Sequence, residues 1–321
     1  MTRVLTGIQP SGQLHWGNYF GAIRPMLEAQ KGKNEMFFFI ADLHAFTTVR
    51  DPKVFHENQK NILLDYLALG LDSDKSLFYR QSDITAHTEL AWYLNCICPM
   101  GLLERAHSFK DKKAKGLEAN AGLFTYPMLM AADILLYSAN KVPVGKDQKQ
   151  HVEIARDIAQ KFNHQFGEIF TIPEPMIAEN VQTIPGLDGQ KMSKSYGNTI
   201  SIFEGEKKLK KQINSIKTAS VEMGDPIDPE TCPVFSFHKL FETPNLEDLA
   251  VKYKAGKIGF GESKKLLFER VWEYFHLARE RRVELEQNFD TVEKIMKEGA
   301  MRANVISSKK LEEVRKVIGI R

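Results

Sequence analysis

Cysteine is scarce in this chain of 321 residues, which has only Cys96, Cys98 and Cys232. An odd, sparse set excludes a disulfide scaffold, and without a paired C-x-x-C there is no zinc-ligand spacing. Simple buried or half-buried thiols are expected. Long apolar runs are lacking too. A membrane-spanning helix needs about 20 such residues, and the densest run, Met36 to Ala41, is only strand-sized. The beginning of the chain has no charged-then-apolar secretory pattern. No membrane partner is therefore expected, and a cytoplasmic location follows. Internal repeats and low-complexity stretches are missing. Neither sign of charge dominates, because 44 Lys and Arg against 41 Asp and Glu leave a net charge of +3. With 43% hydrophobic and 26% charged residues, disordered and fibrous classes are excluded.

What is present is enough chain for about two domains. The first half alternates strands and helices. Strands are expected at Arg3 to Ile8, Met36 to Ile40, Ser76 to Arg80 and Val142 to Gly145. Asp51-Pro52 caps and opens a helix that Gly70 stops, and further helices are expected at Thr88 to Cys98 and Tyr126 to Ser138. Asp147-Gln148-Lys149-Gln150 resembles a capping box ahead of another. This alternation implies an α/β fold with a doubly wound parallel sheet, whose ligands sit beyond the carboxyl ends of the strands. After about residue 200 only helices are expected, at Glu206 to Lys217, Asn245 to Ala255, Gly261 to Phe289, Val292 to Ala303 and Ser308 to Val317. The division is a catalytic domain over 1–185, a mobile hinge loop over 186–200 and a smaller all-helical domain over 201–321. Lysine clusters at 207, 208, 210, 211 and 217, and at 110, 112, 113 and 115, suit either phosphate contact or a solvated face.

The strongest local signal is Lys191-Met192-Ser193-Lys194-Ser195. Two lysines three apart on a loop flanked by Gly186, Gly189 and Gly197 can swing two ammonium groups onto a polyphosphate. The string is the KMSKS signature of class I aminoacyl-tRNA synthetases. Its partner motif in that class, HIGH, is matched by His15-Trp16-Gly17-Asn18 soon after the first strand. Trp16 stands where a small apolar residue is commoner, and so bulky a ring is expected to reshape the floor of the ATP site. Gly7-Ile8-Gln9-Pro10-Ser11-Gly12, Asp42-Leu43-His44-Ala45, Leu103-Glu104-Arg105, Leu129 to Tyr137 and Val142 to His151 extend the match. Over at least its first 200 residues the chain resembles the bacterial tryptophanyl-tRNA synthetases.

That resemblance implies a Rossmann-like catalytic domain, ATP with Mg2+ carried on its phosphates, L-tryptophan and tRNA(Trp) as substrates, and a homodimer. Lys110, Lys191 and Lys194 would clamp the pyrophosphate, and Gln9 and Asn18 would donate to the α-phosphate. Ser11, Gly12, His15, Ser193 and Ser195 would border the nucleotide, with Gly17 and Met192 at adenine and Gly145 and Asp147 at ribose. Tyr126 and Gln148 would take the amino group of tryptophan. Met130, Ile134, Val142 and Val144 would wall the indole with Gly7, His44 and Leu5, the last standing where an aromatic residue is frequent. Asp133, the only acid between Tyr126 and Tyr137, would accept the indole N–H, which can only donate. Other expectations for parts of this set are a core histidine at His44, a helix cap at Asp147 and core packing at Tyr126, Met130, Val142 and Val144.

Three other functions fit part of the pattern. A tyrosyl-tRNA synthetase shares fold and reaction, but it usually carries a further RNA-binding appendage and uses other pocket motifs. A nucleotidylyltransferase with HxGH has no need of KMSKS and a helical domain. A non-catalytic RNA binder has no need of a phosphate clamp.

Overall fold

A strand that is apolar on both faces is stable only between two covering layers, and the short strands here carry that pattern. The computed structural model describes residues 2–106, 120–145, 148–177, 184–222 and 224–320. Strands β1 (Arg3–Ile8), β2 (Glu35–Ile40), β3 (Ser76–Arg80), β4 (Lys141–Pro143) and β5 (Glu174–Met176) form one parallel sheet in the order β3-β2-β1-β4-β5. The chain steps outward from β1 to β3 and then returns to the far side of β1 with β4. This reversal puts a switch point between β1 and β4, and a crevice opens beyond their carboxyl ends.

The helices in chain order are α1 (Trp16–Asn18), α2 (Arg24–Ala29), α3 (Asp42–Ala45), α4 (Pro52–Ala68), α5 (Ala86–Ile97), α6 (Met100–Glu104), α7 (Ala121–Leu136) and α8 (Lys149–Phe166). Then come α9 (Glu206–Asn214), α10 (Pro233–Leu240), α11 (Leu246–Lys254), α12 (Phe260–Tyr274), α13 (His276–Gln287) and α14 (Phe289–Ile318). Among the described residues no helix is long and apolar enough to cross a membrane.

Alternation along the strands divides the core in two. Val4, Met36, Phe38, Ile40 and Phe78 face one cluster, shared with α4, Trp16 and buried side chains of α10, α11, α12 and α14. Leu5, Phe37, Phe39, Leu77 and Tyr79 face the other, shared with α5, α7 and α8. Fully buried side chains of this size stabilise by roughly 1.5–3 kcal/mol each. The helices after residue 200 do not stand apart from the sheet, for α13 packs on α4 and α14 runs along β3. A methyl group on Gly299 of α14 would lie 1.8 Å from the Phe78 carbonyl oxygen, so the helix touches the strand backbone itself.

Several elements differ from their sequence expectation. Helix α7 begins at Ala121, capped by Asn120, and continues through Pro127. An interior proline costs about 3 kcal/mol, and burial of α7 between α5 and α8 offsets it. The stretch expected as one helix over Gly261 to Phe289 is two, because the buried Phe275 turns inward between α12 and α13 against Tyr19 and Phe241. The two helices expected near the carboxyl end are one, α14, in which the Ser307 hydroxyl donates back to the Asn304 carbonyl. Strand β5 and helix α10 carried no expectation.

Candidate active site

The crevice at the switch point is framed by three backbone features. Strand β1 ends at Ile8, and Gly7 and Gln9 are exposed beside it. A methyl group on Gly7 would meet the Phe39 ring at 2.5 Å, so only glycine fits there. The His15-Trp16-Gly17-Asn18 turn follows, closed by a reciprocal cap. The Asn18 N–H donates to His15 Nδ1 at 3.3 Å, and the His15 N–H donates to Asn18 Oδ1 at 3.2 Å. Burial, reinforced by the nearby Lys194 charge, holds the His15 imidazole down at about 4, so it is neutral and can accept that bond.

The Lys191 to Ser195 loop is anchored to this turn. The Gly17 N–H points at the Met192 sulfur at 3.3 Å, and the Trp16 N–H donates to the Ile200 carbonyl at 3.0 Å. Lys194 Nζ donates to the Ser11 carbonyl at 3.0 Å. The loop is organised by Asn198, which is buried. Its Oδ1 accepts from the Ser193 N–H, and its Nδ2 donates to the Lys191 carbonyl and to Asp188. The ordering role of Asn198 has no signature in composition or spacing. Ser193 and Ser195 share a hydroxyl hydrogen bond at 2.8 Å, and Lys191 is exposed.

Trp16 does not line the nucleotide side as expected. Its ring is fully buried, edge-on to Phe237 of α10 and to Phe241 just after it. It therefore shapes the seam between the HxGN turn and the later helices, and no floor for a ligand.

A second cluster lies on the other face of the sheet. Leu5, Ile134 and Val142 are buried together, with Met130 and Val144 half-buried against them. Tyr126 hydrogen-bonds His151, which bonds Gln148 Oε1 at 2.8 Å, and the His44 ring sits edge-on to Tyr126. Asp133 lies at the centre of a polar network. Its Oδ2 is 2.8 Å from His44 Nε2, and its Oδ1 is 2.7 Å from Gln81 Nε2 and 2.6 Å from His87 Nδ1. Burial pushes the Asp133 carboxyl up, but the hydrogen bonds from His44 and His87 outweigh it and hold the group below the usual carboxylate range. Sequence expectation named Asp133 and His44 but missed Gln81, His87 and His151.

The structure thus brings Gln9, Ser11, Gly12, His15, Gly17, Asn18 and the Lys191 to Ser195 loop to one side of the crevice, with Gly145 beyond β4. It brings Leu5, Met130, Ile134, Val142 and Val144 to the face behind, with Asp133 bonded to His44 and His44 against Tyr126. Lys110 and Asp147 lie outside the described residues. A cleft of about 610 Å3 lies elsewhere, between the α3 segment, α5 and α7, and shares only Tyr126 with the expected set. Among the described residues no group of three His, Cys, Asp or Glu is arranged to hold a metal ion.

Residues 1–276 match the family model described as tRNA synthetases class I (W and Y). A tryptophan–tRNA ligase of Rhodopirellula baltica is 53% identical over 99% of this chain and 100% of its own length. One from Fusobacterium nucleatum is 49% identical over 100% of this chain and 98% of its own. The crystal structure of tryptophanyl-tRNA synthetase from Campylobacter jejuni complexed with ADP and tryptophan is 51% identical. It superposes with a TM-score of 0.95, covering 99% of this chain and 100% of that one.

Proposed function

The chain belongs to the class I tRNA synthetases of the tryptophan and tyrosine group, and from that premise we propose that it ligates tryptophan to tRNA. It activates L-tryptophan with ATP and passes the aminoacyl group to the 3′-terminal adenosine of tRNA(Trp). In the first step a carboxylate oxygen of tryptophan attacks the α-phosphorus while the bond to pyrophosphate breaks. In the second a ribose hydroxyl attacks the activated carbonyl and AMP leaves. Neither step needs a protein nucleophile, so positioning and charge stabilisation carry the catalysis.

The observation that supports this reading is the joining of the HxGN turn to the KMSKS loop by the Gly17–Met192 contact, flanked by the bonds of Trp16 to Ile200 and of Lys194 to Ser11. Two lysines and neutral donors around one crevice are what activation of a carboxylate by ATP requires. Lys191 and Lys194, with Lys110, are the pyrophosphate clamp, and Gln9 and Asn18 are the α-phosphate donors. Ser11, Gly12, His15, Ser193 and Ser195 border the nucleotide, with Gly17 and Met192 at adenine and Gly145 and Asp147 at ribose. Tyr126 and Gln148 hold the amino group. Leu5, Gly7, His44, Met130, Ile134, Val142 and Val144 enclose the indole, and Asp133 accepts its N–H. The donors expected around the phosphates are cationic or neutral, which fits Mg2+ held by the nucleotide's own oxygens. Its chemistry there is neutralisation of polyphosphate charge.

The working division is catalysis over 1–185, the mobile loop over 186–200 and tRNA anticodon binding over 201–321, in a cytoplasmic enzyme. A second copy of the chain covers the α5–α7 cleft, where Trp92 is 67% and Phe46 61% exposed. Light scattering should find twice the monomer mass, and a monomer mass would remove that partner. The test of the activity is ATP–pyrophosphate exchange with each of the twenty amino acids. Exchange confined to tryptophan is expected. Exchange driven by tyrosine, or by none, would overturn the assignment.

A further inference from the structure

Asp133 is a fully enclosed carboxylate whose three neighbours arrive from three separate elements. His44 belongs to α3, Gln81 to the turn after β3 and His87 to α5. That turn is itself fastened to α3, since Asp42 Oδ1 accepts the Ser82 N–H at 3.0 Å. The other titratable groups around the carboxylate are Tyr79 on β3 and Tyr137 at the end of α7.

The donor directions can be worked out. Gln81 must turn its amide nitrogen to Asp133, because the flipped amide would set oxygen against carboxylate oxygen. The other end of that amide, Oε1, is buried with no hydrogen-bond partner among the described residues. Leaving such an acceptor bare costs about 1–3 kcal/mol, so the side chain is held for its donor end. His87 Nε2 is 3.0 Å from the Tyr137 hydroxyl. Burial pushes the Tyr137 ionisation up, so the hydroxyl keeps its proton. The ionised Asp133 carboxylate can only accept, so His87 Nδ1 carries a proton and donates to it. The rings of Phe39, Tyr79 and Tyr137 pack around the imidazole and fix its plane.

A carboxylate has four lone-pair directions, two on each oxygen. Both on Oδ1 are taken, by Gln81 and His87. One on Oδ2 is taken by His44. One remains.

We infer that Gln81 and His87 are positioning residues for amino-acid selection, which fill Oδ1 so that Asp133 presents a single open acceptor direction, on Oδ2, to the indole N–H. The inference rests on Asp133 being the indole acceptor, and it deepens that reading. Neither side chain needs to touch the amino acid. Each acts by keeping the carboxylate ionised and by denying it rotation toward another donor.

The test compares tryptophan with its analogue carrying sulfur in place of the indole N–H, in pyrophosphate exchange by the full chain. The variants are Gln81→Leu, His87→Leu and the donor-retaining His87→Asn. Each leucine variant is expected to raise the KM for tryptophan about tenfold, with kcat changed far less. Each should bring the kcat/KM ratio of tryptophan to sulfur analogue down by a similar factor and move the acid limb of kcat/KM upward by about one pH unit. His87→Asn should restore most of the ratio. A merely structural role would lower both substrates alike, with ratio and acid limb unmoved, and that result would overturn the inference. If a leucine variant does not fold, the donor-free Gln81→Met and His87→Phe, which fill similar volume, carry the same ratio test. A wild-type chain that treats the two substrates equally would instead overturn Asp133 as the acceptor.

Discussion

Lys194 spans the crevice to a backbone carbonyl at 3.0 Å, a contact that a phosphate oxygen of higher charge would displace. Removing one preorganised charge contact from a transition state typically costs about 10²–10³-fold. Lys194→Ala is therefore expected to slow single-turnover adenylate formation by that factor while tryptophan binding, followed by fluorescence titration, stays near normal. A near-normal rate would take Lys194 out of the clamp. His15 makes a different prediction. Its folded pKa of about 4 lies below the ordinary 6.5, so the unfolded chain binds the proton more readily. The stabilising contribution is present above pH 6.5 and is lost as pH falls toward 4. Denaturant titrations across that window should show stability falling with acid. The slope should be shallower in His15→Asn, which retains an acceptor but does not titrate. Equal slopes in both proteins would assign the acid sensitivity to other groups.

At the scale of elements, what could be read in the sequence was whatever depends on near neighbours. β1 and β3 have the expected bounds, because a five- or six-residue segment with an apolar centre between turn signals has few other solutions. β5 escaped notice because Glu174-Pro175-Met176 has neither length nor alternation, and it is a strand only because β4 offers it an edge. Phe275 divides two helices for the sake of a buried aromatic cluster, which periodicity does not reveal. The site divides in the same way. Asp133 stands out as a lone acid in an apolar helix. Its partners Gln81 and His87, 52 and 46 residues away, are brought to it only by the sheet order. Gly299 illustrates the competition of scales. Helix propensity alone says that Gly299→Ala should stabilise α14 by about 1 kcal/mol. A methyl group 1.8 Å from the Phe78 carbonyl oxygen says that the helix must withdraw from β3. A net loss of about 1–3 kcal/mol is expected. Urea unfolding reads the sign directly, and a stabilised variant would mean that the contact yields without cost.

For the whole molecule, the later helices join the sheet, and α9 keeps a lysine-rich exposed face. Lys207, Lys208, Lys210 and Lys211 are all exposed there. If this face meets the tRNA backbone, log affinity should fall against log salt with a slope of about −0.9 per duplex phosphate neutralised. Lys207→Ala with Lys211→Ala should make that slope shallower by nearly two units. A slope unchanged by the double substitution would move the RNA elsewhere on the surface.

The seating of α14 along β3 has a further consequence in time. β3 is an edge of the sheet, and an open edge invites pairing with other chains. The helix that runs along it is translated only after most of the protein has already left the ribosome. At ordinary elongation rates that interval is on the order of ten seconds or more. Throughout it the nascent α/β unit carries an uncovered strand. Newly made polypeptides of this family member would therefore be most prone to misassociate during synthesis, and crowding of several ribosomes on one message would sharpen the hazard.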